Sequence, residues 1–272
     1  MIFGIIQGRL SSAPPGQLQC FPQKTWEKEF ALAQKLGFDF IELIAEKEHN
    51  PRNPLWRDEG LERIKKAHAA HQIKSYVICN DLVMGADLRT SKDAVTQTKA
   101  LLEQAKKIKT KVMVLPLLEE SYVQEGDYRS LISPLREIAD FAKEKNILIC
   151  LETLLNGKAL MTLLDQLKND NIKSVFDTGN RATLGHDLFA DIKLLKSRIA
   201  HVHIKDKNAQ NQNVLLGTGL VNFHQVFEAF MTIGYDAGYS FETTRGSDPV
   251  NTARYNRQFV DFFMKDVIGH AR

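Results

Sequence analysis

Short, almost wholly apolar runs alternate along this chain with longer stretches in which apolar residues recur every three or four positions. The runs read as strands at 2–7, 38–43, 73–79, 111–116, 147–152, 172–177, 199–204 and 238–242. The periodic stretches read as amphipathic helices at 25–36, 61–71, 93–109, 128–145, 158–169, 188–197, 223–233 and 251–267. Strands that are apolar throughout, instead of alternating, suit a parallel sheet covered by helices. Eight strand–helix units in 272 residues predict an α/β fold with one domain spanning 1–272, a single (β/α)8 TIM barrel. A doubly wound sheet is the alternative. It would have fewer strands and a glycine-rich first turn, whereas Gln7, Gly8 and Arg9 lead into a loop holding Pro14 and Pro15.

In such a barrel the chemistry sits where strands end at the C-terminal face. Four consecutive strands end in groups that can bind or react. ILICLE stops at Glu152, IKSVFD at Asp177 and GYSFE at Glu242, while IAHVHI carries His203 at its last inward position. The two-residue period of a strand agrees: His201 shares a face with His203, Cys150 with Glu152, Val175 with Asp177, and Ser240 with Glu242. Alone, each has a plainer reading, a helix cap for a strand-end Glu or a core position for an inward His. Together, three buried carboxylates repel unless a cation or protons compensate. The oxygen-rich set with one nitrogen suits one divalent metal ion, Mn2+ first, with Co2+, Mg2+ or Zn2+ as alternatives.

Composition narrows the partners. The 36 Lys+Arg and 33 Asp+Glu leave +3, too near neutral to point to nucleic acid. No apolar run approaches the ~20 residues of a membrane span. Cys20, Cys79 and Cys150 show no paired spacing, and the start MIFGIIQGRL has no cationic region before its apolar residues. A cytoplasmic protein is expected, with self-association into a homo-oligomer compatible with the sequence.

The segments LETLLN around Glu152, FDTGN around Asp177, HVHIKD around His203 and SFETTRG around Glu242 resemble the four motifs of the xylose isomerase-like barrels. More narrowly they resemble the sugar-phosphate isomerase/epimerase family, which includes ketose 3-epimerases, inosose dehydratases and relatives of endonuclease IV. GIIQGRLS, FPQKTWEKEF and GFDFIEL are similar to one bacterial branch, and the resemblance covers nearly the whole chain. It implies Glu152, Asp177, His203 and Glu242 as metal ligands and Glu152 and Glu242 as the catalytic proton-shuttling pair. The implied activity is metal-dependent isomerisation or epimerisation of a sugar, or a sugar phosphate, through a metal-held enediolate. An inosose dehydratase-like lyase uses the same ligands and stays open, and a non-catalytic sugar-binding barrel is a more distant alternative. Asn180 stands where ketohexose 3-epimerases carry a substrate-contacting His, and Lys205, Asp206 and Lys207 stand where they carry an Arg. A free-ketohexose epimerase is therefore disfavoured. An endonuclease IV-like nuclease needs more metals and more His, and positions 204 to 220 hold none.

Gln7, Arg9, Glu42, Lys205 and Arg245 are candidate substrate contacts by their positions at or just after strand ends, and Asn180 is one by the place the resemblance gives it. Arg9, Lys205 and Arg245 could receive a phosphate or carboxylate, Arg as a two-pronged donor and Lys as a point charge. They could equally pair with Asp206 and Glu42 or stay solvated. Glu42 either holds a sugar hydroxyl or orients a neighbouring side chain, and His201, one layer deeper than His203, reads as structural or supporting. The turn Leu216-Gly217-Thr218-Gly219 either offers N–H groups to a ligand or closes a tight loop. Residues 11–21 form a candidate lid or a plain surface loop. His68 and His71 read as surface.

Overall fold

A computed structural model describes residues 1–14 and 16–270, with backbone alone over 267–270; Pro15 of the candidate lid lies outside the described residues. The strands are β1 (Ile2–Ile6), β2 (Phe40–Ala45), β3 (Val77–Asn80), β4 (Val112–Pro116), β5 (Leu148–Glu152), β6 (Ile172–Asp177), β7 (Ile199–Ile204) and β8 (Gly238–Phe241). They pair in chain order, all parallel, and β8 closes on β1. The helices are α1 (Trp26–Lys35), α2 (Asp58–His71), α3 (Lys92–Lys107), α4 (Arg129–Glu144), α5 (Gly157–Leu167), α6 (Thr178–Thr183), α7 (Leu188–Leu195), α8 (Phe223–Thr232) and α9 (Pro249–His270). This is the (β/α)8 barrel that the alternation predicts. No described helix is long and apolar enough to cross a membrane.

The departures from the sequence pattern are local. β2 starts at Phe40 and runs on to Ala45, so Glu42 lies inside the strand instead of ending it. β3 starts only at Val77, because the segment before it touches β2 through a single bridge at Lys74. The short helix α6 has no apolar period to announce it. It starts because the Asp177 carboxylate accepts from the Asn180 N–H at 2.7 Å, capping the first turn. His68 is buried against Phe30, and its Nδ1 contacts the Ile73 carbonyl at 2.9 Å, so the surface expectation fails for it.

Below the mouth the barrel is plugged by rings. Phe40, Tyr76 and His201 lie 4.8–6.2 Å apart, centroid to centroid. Glycines on neighbouring strands make the room: a Cβ on Gly4, which pairs with Phe40, would overlap the Phe40 ring, and one on Gly238 would overlap Tyr76. Large residues set against absent side chains fill the narrow interior, so the mouth rests on packed side chains and not on a channel.

Candidate metal and substrate site

Glu152 at the end of β5, Asp177 at the end of β6, His203 in β7 and Glu242 just past β8 each bring one donor atom into a group spanning no more than 4.8 Å. The ladder explains the convergence. Asp177 pairs with His203, and His203 with Ser240, so inward residues of adjacent strands arrive at matching heights. His203 Nδ1 faces Glu242 Oε2 at 3.1 Å and Glu152 Oε2 at 3.7 Å. Lys205 Nζ reaches Asp177 Oδ2 at 2.9 Å and Glu242 Oε1 at 2.8 Å. Gly179 makes way for that lysine stem, which a Cβ would press against.

Behind this group, Glu42 lies fully buried between two imidazoles. Its Oε1 is 3.1 Å from His203 Nε2 and its Oε2 is 2.9 Å from His201 Nε2, which also contacts Ser240 Oγ at 3.0 Å. Burial alone would push the Glu42 carboxyl up, but His203 and His201 outweigh it and hold the group well below the usual range. A carboxylate only accepts, so both Nε2 atoms donate to it. His203 therefore presents Nδ1 to the mouth. Burial pulls the His203 imidazole down, yet Glu42 and Glu152 hold it well above its ordinary value. For His201 burial wins and the pKa falls.

The two mouth glutamates differ in environment. Burial pushes Glu152 up, with His203 offsetting it only in part. Burial acts on Glu242 too, but Lys205, His203 and Arg9 hold it well below the normal carboxylate range. Asp177 Oδ2, Glu242 Oε2 and His203 Nδ1 are buried and, despite their ion-pair contacts, have no well-formed hydrogen bond among the described residues. Two hard oxygens and an imidazole nitrogen fit the donor set of a divalent cation once the imidazole gives up its second proton. Glu152, Asp177, His203 and Glu242 could hold one.

The other sequence candidates fall into two groups. Asn180 joins the site, its Nδ2 donating to Glu152 Oε1 at 3.3 Å, and Arg9 Nη2 lies 3.6 Å from Glu242 Oε1. The remaining four are engaged by the protein itself, Gln7 through its Oε1 and the other three through their charged groups. Gln7 Oε1 accepts from the Ile44 N–H, and Glu42 has both oxygens on histidines, which matches the orienting role and not hydroxyl binding. Lys205 is an ion-pair partner of two mouth carboxylates, not a free anion receptor. Arg245 donates to the carbonyls of Gly8, Gln17 and Leu18, tying the 11–21 loop to the β8 end of the barrel. The 216–219 turn likewise offers nothing to a ligand from Gly217 or Gly219, whose N–H groups both bond Asp206 Oδ2 at 2.9 Å.

Three neighbours escape sequence reasoning. Asp81, just past β3, is 3% exposed and feels both Glu152 and Glu242. Gln19, in the 11–21 loop, accepts from Arg9 Nη2 at 3.1 Å. Arg181 lies buried over the Phe176 ring, paired with Asp191. A polar residue ending the VICND run was the available signal for Asp81.

Residues 30–263 match the family described as xylose isomerase-like TIM barrel. In sequence the chain is similar to the L-ribulose-5-phosphate 3-epimerase UlaE of Salmonella heidelberg, 27% identical over 232 residues that cover 80% of this chain and 81% of that one. In fold it is similar to an L-ribulose 3-epimerase, with a TM-score of 0.79 at 20% identity, covering 99% of this chain and 96% of the other. It is also similar to the IOLI protein with a bound zinc atom, with a TM-score of 0.73 at 20% identity and 99% coverage of both.

Proposed function

The chain belongs to the xylose isomerase-like TIM barrel family, and from that premise we propose that it is a divalent-metal-dependent isomerase or epimerase of a small ketose-type sugar. Glu152, Asp177, His203 and Glu242 would hold the ion, with Mn2+ our first assignment. The observation that carries the reading is the pair Glu152 and Glu242, which reach His203 Nδ1 from strands on different sides of it. The sequence relative's ribulose phosphate and the fold neighbour's ribulose support a small ketose, and the zinc named for a third relative supports a metal.

When bound, the ion supplies polarisation of the substrate carbonyl, which acidifies the adjacent carbon. One glutamate takes the proton from that carbon. Its counterpart returns a proton from the opposite face and inverts the centre, or returns it to the neighbouring carbon and gives an aldose–ketose exchange. Asn180 steadies Glu152, and Lys205 keeps Glu242 ionised.

The test is incubation of metal-loaded protein with ketoses and ketose phosphates in deuterated water, followed by the site of label. Glu152→Gln and Glu242→Gln should each lose at least about 10²–10⁴-fold in turnover with metal retained. Asp177→Asn should chiefly weaken metal binding, with activity partly recovered in excess Mn2+. Near-normal exchange in a metal-loaded Glu→Gln variant would remove these residues from the proton path.

A further inference from the structure

On the arc of the mouth formed by the β1 and β3 ends, bordering the metal-binding candidates on β5 to β8, lies a second polar cluster. Arg9 is 1% exposed, yet among the described residues its Nε and Nη1 have no hydrogen-bond partner. Only Nη2 is engaged, by Gln19 Oε1 at 3.1 Å and by the more distant Glu242. A buried guanidinium with two unsatisfied nitrogens costs free energy unless something else accepts from it. Asp81, just past β3, accepts among the described residues from the weak Cys79 Sγ donor at 3.1 Å and from the Gln19 side chain. Arg9 and Asp81 also lie within each other's electrostatic reach.

The structure assigns Arg9, Asp81 and Gln19, on our inference, as a subsite that grips the hydroxyl-bearing end of the sugar remote from the reacting carbon, and so selects an unphosphorylated ketose. The assignment rests on the proposed sugar chemistry of the neighbouring site. A hydroxyl both donates and accepts, so one can accept from Arg9 while it, or the next along the chain, donates to Asp81. A phosphate only accepts. Here it would meet the Glu242 carboxylate, which already faces the guanidinium at 3.6 Å, and Asp81, whose carboxyl burial pushes up to about 7 and which has no positive charge to offer it. The other two cations expected to receive a phosphate, Lys205 and Arg245, are committed to carboxylates and to backbone carbonyls. Gln19 joins the subsite to the loop that Arg245 ties down, which places this contact on the rim a substrate must pass.

Calorimetric titration of the metal-loaded protein tests this without turnover, using L-ribulose, 5-deoxy-L-ribulose and L-ribulose 5-phosphate as probes. Loss of the terminal hydroxyl should weaken binding by wild type about 10- to 100-fold, the worth of one or two unmatched buried polar groups. The phosphate should bind more weakly than the free ketose. In Asp81→Asn, and in Gln19→Ala at its half-buried position, the preference for L-ribulose over its deoxy form should shrink to within about threefold. Metal content, measured on each variant, should be unchanged. Tighter binding of the phosphate, equal binding of parent and deoxy sugar by wild type, variants that lose both sugars equally, or no binding of any probe would each overturn the subsite. Failure of the proposed function shows separately, as ketose binding with no exchange of carbon-bound hydrogen for deuterium.

Discussion

Glu42→Gln is the sharpest perturbation available away from the mouth. The carboxylate is fully buried and accepts from His203 Nε2 at 3.1 Å and His201 Nε2 at 2.9 Å. Glutamine has nearly the same shape but only one acceptor. Whichever way it turns, its amide N–H faces one imidazole N–H, so one charge-assisted bond is lost and two donors are opposed. Bonds to charged groups contribute about 1.5–3 kcal/mol each. If the loss falls on His203, the tautomer that presents Nδ1 is no longer enforced, and about 2 kcal/mol corresponds to roughly 30-fold in metal affinity. That lies inside the 10–100-fold typical of losing a carboxylate behind a ligating histidine. Titration of wild type and variant with Mn2+ at pH 7, with urea unfolding as the control for folding, reads the effect. Ser240→Ala, which touches only the His201 side, should leave Mn2+ binding within about threefold. A folded Glu42→Gln protein that binds Mn2+ as tightly as wild type would refute the claim that Glu42 orients His203.

Because Glu42 and Glu152 hold His203 well above its ordinary pKa, it carries a proton near neutrality that a ligating imidazole must give up. Mn2+ binding at pH 6.5 should therefore release about one proton and tighten with rising pH; titrations in buffers of different ionisation enthalpy measure this, and zero release would contradict it. Glu29, which accepts from the Gly8 and Leu10 N–H groups, is pushed up to about 7 by burial. A folded pKa above the unfolded value of 4.5 means the folded state binds more protons between them. Its stabilisation is full below pH 4.5 and lost as pH rises through 7, about 3 kcal/mol at most. Glu29→Gln should flatten that part of the stability curve in urea unfolding at pH 5 and pH 8, and parallel curves for the two proteins would count against it. Gly4→Ala should cost about 1–3 kcal/mol by crowding Phe40, and Phe40→Leu in the same chain should recover part of the loss; a neutral Gly4→Ala would show that the ring moves freely.

The barrel was legible in the sequence because it rests on local rules. Apolar runs, helical periods and stops such as Gly37 recur unit by unit, and eight such units in a row leave few other closed arrangements. The inward aim of Glu152, Asp177, His203 and Glu242 was legible for the same reason, since each needs only the two-residue period of its own strand. What lies between strands was not. Glu42 meets His201 across 159 residues and Arg245 meets Gly8 across 237, and no pattern within a strand encodes either meeting. The charged residues show the limit most plainly. Arg9, Lys205 and Arg245 look alike at strand ends, but Lys205 closes on Asp177 and Glu242, and Arg245 on a loop's carbonyls. Arg9 alone of the three keeps nitrogens without a partner among the described residues. Residue type and strand position determine which groups reach the mouth. Whether a group there is free depends on which neighbours barrel closure brings within hydrogen-bonding distance, and only the tertiary structure decides that.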